Sequence, residues 1–167
     1  GEGRCSEGVC VKIRSAGPIK KNTSIPIVIK IKSDKDQSEM SINLSTHPGG
    51  IIEDAADKSD MVWKKNEGVA EIAWRKKVQA GKEITITQNV RFEEPGDYSI
   101  VAMAVLPSGV VSDGLVFRIT DEGGTEYPFN TYIPPVTPVP WPTITPGPSP
   151  TFLPTDTARP ALPPAVT

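Results

Sequence analysis

The stretch Ile25-Pro26-Ile27-Val28-Ile29-Lys30-Ile31-Lys32 decides the fold class of this chain. Isoleucine recurs at every second position, Lys30 falls between Ile29 and Ile31, and Lys32 follows Ile31. Successive side chains of a β-strand point to opposite faces, so this order places the isoleucines on one side and both lysines on the other. The stretch therefore predicts a strand that is buried on one face and exposed to solvent on the other.

The same alternation occurs in six further segments, and turns rich in Gly, Pro, Asp and Ser separate them. We predict strands over residues 9–14, 25–32, 40–46, 69–76, 84–92, 98–106 and 115–120. Short strands at such regular intervals, with no convincing helical spacing between them, are typical of stacked antiparallel sheets. The sequence predicts an all-β fold, an immunoglobulin-like antiparallel two-sheet sandwich of about seven strands.

Proline divides the chain into two parts. Of the 18 prolines, five lie in residues 1–126 and 13 in residues 127–167, a tail that also holds eight threonines and only two charged residues. Such a composition builds no core and favours extended polyproline conformations. We predict a sandwich domain over 1–126 and an extended linker, spacer or stalk over 127–167.

The beginning of this tail carries more apolar residues than an inert spacer needs. The alternative to an inert linker is therefore that the tail docks on its own domain, on a neighbouring copy or on another protein. The candidate docking residues are Tyr127, Phe129, Tyr132, Ile133, Trp141 and Phe152.

Tyr98 follows a Pro95-Gly96-Asp97 turn at the start of a predicted strand. This is the position of a tyrosine corner, in which the hydroxyl bonds back to the backbone. The alternative is a partly buried strand tyrosine. In both interpretations the role of Tyr98 is structural.

The turn and strand at 95–105, the hairpin at Pro107-Ser108-Gly109 and the closing strand at 115–120 resemble the last two strands of bacterial surface immunoglobulin-like modules. The Pro/Thr-rich extension is similar to the linkers of exported bacterial envelope proteins. The resemblance covers residues 9–126 as a pattern and identifies no particular member. It implies a spacer, adhesion or assembly unit at the cell surface.

Cys5 and Cys10 are the only cysteines, and Gly8 between them supplies a turn. An even number of cysteines near a terminus predicts a disulfide and an oxidising, extracellular compartment. A metal or redox pair is the alternative, but the spacing is not C-x-x-C, and His47 is the only histidine available as a further ligand. We predict no cofactor and no metal site.

Catalytic chemistry is also not predicted. His47 lies in Thr46-His47-Pro48-Gly49-Gly50, which indicates a turn at the end of a strand rather than an oriented general base. The acidic residues Glu53, Asp54, Asp57 and Asp60 suggest Ca²⁺ ligands, but their spacing fits no EF-hand, so a solvated loop is the preferred interpretation. With 18 Lys and Arg against 20 Asp and Glu, no basic excess indicates nucleic acid, and no apolar run is long enough for a transmembrane segment.

Trp63 and Trp74 are flanked by basic residues, a pattern compatible with stacking on a sugar or binding an anion. Trp74 alternates with Ile72 and Ala70, so we assign it to the core. Trp63 follows the acidic loop and is the candidate surface contact.

These patterns lead us to expect a non-enzymatic, exported structural or interaction module of the bacterial cell surface, with the tail as spacer or docking arm. Its expected partner is a protein, a neighbouring copy of itself, or a cell-wall or surface glycan. Two alternatives remain: a self-assembling subunit of an extracellular filament or surface layer that exchanges a tail or strand with its neighbour, and a carbohydrate-binding module.

Overall fold

The computed structural model describes residues 3–55 and 58–127. In these ranges the backbone is built from strands, and none of it forms a helix long and apolar enough to cross a membrane. All seven predicted strands are present, and four shorter strands are added to them. The strands are β1 (Arg4–Ser6), β2 (Val9–Ser15), β3 (Ile25–Ser33), β4 (Gln37–His47), β5 (Ile51–Ile52), β6 (Met61–Lys65), β7 (Ala70–Val78), β8 (Glu83–Arg91), β9 (Gly96–Leu106), β10 (Gly109–Thr120) and β11 (Gly123–Tyr127).

The strands form two antiparallel sheets. The five-stranded sheet has the order β1-β2-β3-β8-β5, and the six-stranded sheet has the order β11-β10-β9-β4-β7-β6. The two sheets stack as a sandwich with one apolar core between them. The predicted all-β, two-sheet antiparallel architecture is therefore confirmed.

The core follows from the alternation. On β3 the four isoleucines of the opening stretch are completely buried, whereas Lys32 on the same strand is exposed. Three aromatic rings fill one end of the core: the ring centroids of Phe92 lie 4.3 Å from Tyr98 and 5.3 Å from Phe117. Such edge and tilted ring contacts add packing energy beyond simple area burial.

The sheets also meet along one side, which we call the β2/β10 seam. There the amide of Ile13 on β2 donates to Oδ2 of Asp113 on β10 at 3.1 Å, and the Asp113 side chain is buried. The hydroxyl of Ser108 donates to the Glu7 carboxylate at one end of the seam. At the other end, Gly124 lies close against Ile19.

The chain divides into two units, Gly1–Ile133 and Pro134–Thr167. Tyr127, the first residue of the predicted tail, is the last residue of β11 and pairs with Val116. The sheet therefore continues one residue past the predicted boundary at 126. The docking prediction for Phe129, Tyr132, Ile133, Trp141 and Phe152 lies outside the described residues.

Candidate functional site

The central outer face of the six-stranded sheet is free of charged side chains, and we call it the neutral face. It consists of the outward-pointing residues of three adjacent strands, and most of them are partly exposed. Hydroxyl and amide groups mix there with methyl and thioether groups. Its members are Ser41, Asn43 and Ser45 on β4, Ser99, Val101, Met103 and Val105 on β9, and Val110, Ser112, Gly114 and Val116 on β10.

A row of side chains crosses this face at right angles to the strands. Asn43 lies opposite Met103 on one side and Ala73 on the other, and Met103 lies opposite Ser112. Trp63 on β6 ends the row, because it pairs with Ala73. Neighbouring strands are about 4.8 Å apart, so the backbones of Trp63 and Asn43 lie roughly 10 Å apart along the row.

Trp63, the candidate surface contact, is 40% exposed, which is unusual for such a large apolar side chain. The Lys65 ammonium lies 5.8 Å from the centroid of its ring, within the range of a cation–π contact. Trp74 is only 2% exposed and belongs to the core. The two tryptophans of the basic segment therefore have different surroundings.

Charged groups border the neutral face. At one end Arg118 donates to Asp97 through Nε at 2.6 Å and through a terminal nitrogen at 3.1 Å, and this hydrogen-bonded carboxylate raises the pKa of the guanidinium. Arg75 and Lys77 are exposed on β7. Lys76 of the same segment instead forms an ion pair with Asp60 at 2.8 Å.

The acidic residues after β5 do not converge. Glu53 accepts a hydrogen bond from the Ser24 hydroxyl and lies 3.8 Å from Arg91, while Asp60 pairs with Lys76. The Lys64 ammonium, 3.2 Å from Asp54, holds the pKa of that carboxyl below its ordinary value. The fourth acidic residue, Asp57, lies outside the described residues, and no three potential metal ligands cluster among the described ones.

His47 ends β4 at an exposed position, and its peptide bond to Pro48 is cis. Its Nε2 lies 3.2 Å from the Ser45 hydroxyl. Among the described residues, no carboxylate accepts a hydrogen bond from the other ring nitrogen. A serine and a histidine thus touch at the surface, without the third group that positions a general base.

Tyr98 lies at the start of β9, with its ring against Phe92 and Phe117. Its hydroxyl donates to the carbonyl of Glu94 at 2.7 Å, the geometry expected of a tyrosine corner. Partial burial, and then the nearby Glu94 carboxylate, raise the pKa of the Tyr98 phenol.

The predicted Cys5–Cys10 disulfide is present, with an S–S distance of 2.04 Å. It joins directly opposite residues of β1 and β2. The two-residue turn between these strands places Glu7 at φ 52° and Gly8 at φ 81°, in the left-handed region. A side chain at residue 8 would also collide with Asp34, so this turn requires glycine.

A shallow cleft of about 170 Å³ lies between β7 and β8 and is lined by Trp74, Thr85 and Thr87, among others. Gln88, 2% exposed, borders it and donates through Nε2 to the carbonyls of Glu53 at 2.7 Å and Asn89 at 3.0 Å. Its buried Oε1 accepts no hydrogen bond from any described residue.

Two polar side chains that bind backbone groups were not anticipated from the sequence. Asn66 accepts from the Ile52 amide at 2.9 Å and donates to the Ile52 carbonyl at 3.1 Å, so its side chain acts as a strand partner for β5. Asp113 bridges the seam. For Asp113 a signal existed, because it occupies an inward position between Val111 and Leu115, whereas nothing in the sequence marks Asn66.

Comparisons with known proteins assign no family. No family model matches the chain, and no curated protein matches it. Among solved structures it is similar to the sporulation control protein Spo0M from Bacillus subtilis, with 13% identity over 68% of this chain and 49% of that chain, at a TM-score of 0.42. It is also similar to a mutant beta-glucosidase from Listeria innocua in complex with laminaribiose, with 14% identity over 66% of this chain and 16% of that chain, at a TM-score of 0.37.

The chain thus spans about half the length of the first protein and about one sixth of the second. Likenesses at this level carry no argument about function, which has to be inferred from the surfaces of the chain itself.

Proposed function

We propose that this chain is a non-enzymatic, exported interaction module of the bacterial cell surface and that it binds its partner through the neutral face. The observation that carries this proposal is the absence of charged side chains from the central outward positions of three adjacent strands, β4, β9 and β10. Protein contact surfaces are depleted of charged residues at their centre, because burying an unpaired charge is costly. Chemistry-bearing groups such as His47 and the acidic residues point to separate partners, which favours binding over catalysis.

We propose further that the sandwich is immunoglobulin-like. Among the seven main strands, the first, second and fifth adjoin in one sheet, and the seventh, sixth and third adjoin in the other. That is the arrangement of the corresponding immunoglobulin strands, and the Tyr98 hydroxyl bond supports it. The fourth strand, β7, pairs with the third, as an additional strand does in variable-type domains.

Export is supported by the Cys5–Cys10 disulfide, because cytosolic thiols are kept reduced. The Pro/Thr-rich tail, with its resemblance to envelope linkers, fits a spacer that holds the module away from a surface or a docking arm that attaches it. Titration of free thiols without reductant tests the compartment, and we expect to detect no free thiol. Two free thiols in protein isolated from its native compartment would contradict export.

The binding face can be tested with a matched pair of charge insertions in the full chain. Met103→Glu places a carboxylate at the centre of the neutral face, and Thr85→Glu places one on the exposed face of the other sheet. We expect Met103→Glu to reduce retention on purified bacterial cell envelopes by about tenfold or more, since an unpaired charge would be buried, and Thr85→Glu to leave it unchanged. Equal retention of both variants would refute the assignment of the face, and hydrolytic activity that depends on His47 would refute the non-enzymatic role.

A carbohydrate-binding module is a second candidate, favoured by the exposure of Trp63. A single sugar ring stacked on the indole would not reach Asn43, but an oligosaccharide extending from it along the row could reach the amide of Asn43, two strands away. Binding on a glycan array that disappears in Trp63→Ala and persists in Val62→Ala, its exposed neighbour, would support this candidate. Array binding by neither the parent chain nor the variants would exclude it.

Self-assembly by exchange of a tail or strand is the third candidate, favoured by a sheet edge on β10 that is only partly covered within the described residues. Light scattering across a concentration series compares the full chain with a chain ending at Tyr127. If both are monomeric throughout, this candidate fails.

A further inference from the structure

Strand β11 covers only half of its neighbour β10. Its five residues pair with Val116–Thr120, and the last pair joins Tyr127 to Val116. On the far side of β10 all residues from Gly109 to Ile119 are paired with β9. Residues 109–115 therefore present a strand edge that is paired with no described strand, although β1 and β2 of the other sheet lie close to β10 at the seam.

The two hairpins determine which backbone groups lie on this edge. The loop at Asp121 and Glu122 has two residues, so it closes on the hydrogen-bonded pair Thr120–Gly123. Bonded pairs then alternate along the ladder, which makes Val116 a bonded partner of Tyr127. Even-numbered residues of β10 thus direct their N–H and C=O groups toward β11, and those on the uncovered half are Val110, Ser112 and Gly114.

The second hairpin gives the same result independently. Its loop at Pro107 and Ser108 closes on the pair Leu106–Gly109, so odd-numbered residues of β10 bond to β9. No hydrogen bond joins the backbone of Val110, Ser112 or Gly114 to a strand on the other side within the described residues. Gly114 is nevertheless buried, although it lies on the outward face of this edge.

We propose that this edge is a strand-docking site and that its occupant is the segment 128–133 of the same chain, Pro-Phe-Asn-Thr-Tyr-Ile. The proposal gives a molecular form to the docking role of the tail and rests on it. Continuing the register of β11 by one residue at a time pairs Phe129 with Gly114, Thr131 with Ser112 and Ile133 with Val110. The six residues 128–133 are enough to extend from the end of β11 along β10 as far as Val110, next to the first residue of that strand.

The prolines support this register. Pro128 and Pro134 fall opposite Leu115 and Gly109, which are the non-bonded positions of the extended ladder. A proline has no N–H to donate, so a sheet tolerates it only where that N–H is not needed. A register shifted by one residue would put both prolines at bonded positions.

The side chains match as well. Phe129 would cover Gly114, an arrangement in which an aromatic ring shields a glycine of the neighbouring strand. Ile133 would lie beside Val110, which is 53% exposed.

We expect the edge to bind the segment of its own molecule rather than that of another copy, because this segment continues directly from Tyr127. No loop has to be closed, so its effective concentration at the edge is higher than that of a neighbouring copy. A docked segment also removes an exposed strand edge, which otherwise promotes association between copies.

Hydrogen exchange of the full chain tests the proposal by NMR. Thr131→Pro removes a donor at a bonded position, whereas Asn130→Pro is the matched control at a non-bonded position. We expect the amides of Ser112 and Gly114 to exchange about tenfold faster in Thr131→Pro than in the parent chain. In Asn130→Pro they should stay close to the parent value, and the Val116 and Arg118 amides should be unaffected in both variants.

Exchange at Ser112 and Gly114 that is already fast in the parent chain, or that responds equally to both prolines, would overturn the proposal. Protection that increases with protein concentration would also overturn it, because the occupant would then be a second copy, as in the assembly candidate. Retention on cell envelopes is measured separately, so loss of this inference leaves the function proposed for the neutral face intact.

Discussion

The outer faces of the two sheets arise from the same alternation but differ in charge. The five-stranded sheet exposes Lys12, Arg14, Lys32 and Glu83, together with the half-exposed Lys30, and Lys12 lies directly opposite Lys30. The neutral face of the six-stranded sheet carries no charged side chain at the corresponding central positions.

The difference indicates which face is suited to a partner. Like charges opposite one another are unfavourable within a sheet, and removing the water around them when another surface binds costs free energy. The charged face is thus poorly suited to binding a partner and should remain exposed to solvent. The neutral face loses little when water is displaced, and its serine hydroxyls and Asn43 amide supply hydrogen bonds for specificity.

The largest expected effect separates the inner and outer sides of one strand. Leu44 of β4 is completely buried, while Asn43 beside it lies on the neutral face. Leu44→Ala should lower the free energy of unfolding by about 2–5 kcal/mol, because it leaves a cavity. Asn43→Ala should change it by less than about 0.5 kcal/mol. Urea denaturation measures both, and a large loss in Asn43→Ala would mean that the neutral face is already covered.

A smaller effect concerns the edge of the charged sheet. β1 has only three residues, and the disulfide attaches it to β2. Replacing both cysteines by serine should lower the free energy of unfolding by about 2 kcal/mol, since the unfolded chain gains freedom. Denaturation with and without reductant measures the effect. The double variant should be insensitive to reductant, and a parent chain that is equally insensitive would contradict the assignment.

Tyr98→Phe, in the six-stranded sheet, should lower the free energy of unfolding by about 1 kcal/mol, because the Glu94 carbonyl loses its hydrogen-bond donor. The folded state raises the pKa of this phenol above its ordinary value of 10.0. The contribution of Tyr98 is therefore fully present below pH 10.0 and is lost as the pH rises through the folded pKa.

Denaturation of Tyr98→Phe alongside the parent chain checks that dependence. The difference in stability between the two proteins should be constant near neutral pH and should shrink in strongly alkaline solution. A difference that is independent of pH in that range would contradict a shifted phenol.

The smallest expected effect tests the charged face itself. Lys12→Glu converts its like-charge pair with Lys30 into an opposite-charge pair and should stabilise the protein by roughly 0.2–1 kcal/mol. Thermal denaturation at low and at high salt measures it, because salt screens exposed charges. Lys12→Gln, which only removes the repulsion, should give a smaller gain, and destabilisation by both substitutions would show that Lys12 has a role in packing.

The main strands were predictable because alternation is a local property of the chain. β3 follows its predicted residues to within one position, because isoleucine stands at every second position and all four isoleucines are buried in the core. β11 was missed, because Gly-Gly-Thr-Glu-Tyr has no alternation and forms a strand only through its register with β10. The two-residue strand β5 was missed for the same reason, since it depends on β8 and on the side chain of Asn66.

The candidate surface was less predictable than the fold. Alternation gave the outward positions of β4, β9 and β10, but only the pairing of these strands brings their neutral residues together. The exposure of Trp63 and the burial of Trp74 are consistent with the roles predicted for them. Their different exposure follows from their positions, because Trp74 points inward on β7, while Trp63 lies on the outward side of the edge strand β6.

The bond between the Ile13 amide and the Asp113 carboxylate joins residues that are 100 positions apart in the chain. During synthesis the first hairpins leave the ribosome long before the acceptor for this amide has been made. The hairpin of β2 and β3 therefore cannot form this bond when it first appears, and the β2/β10 seam can form only after β10 has left the ribosome.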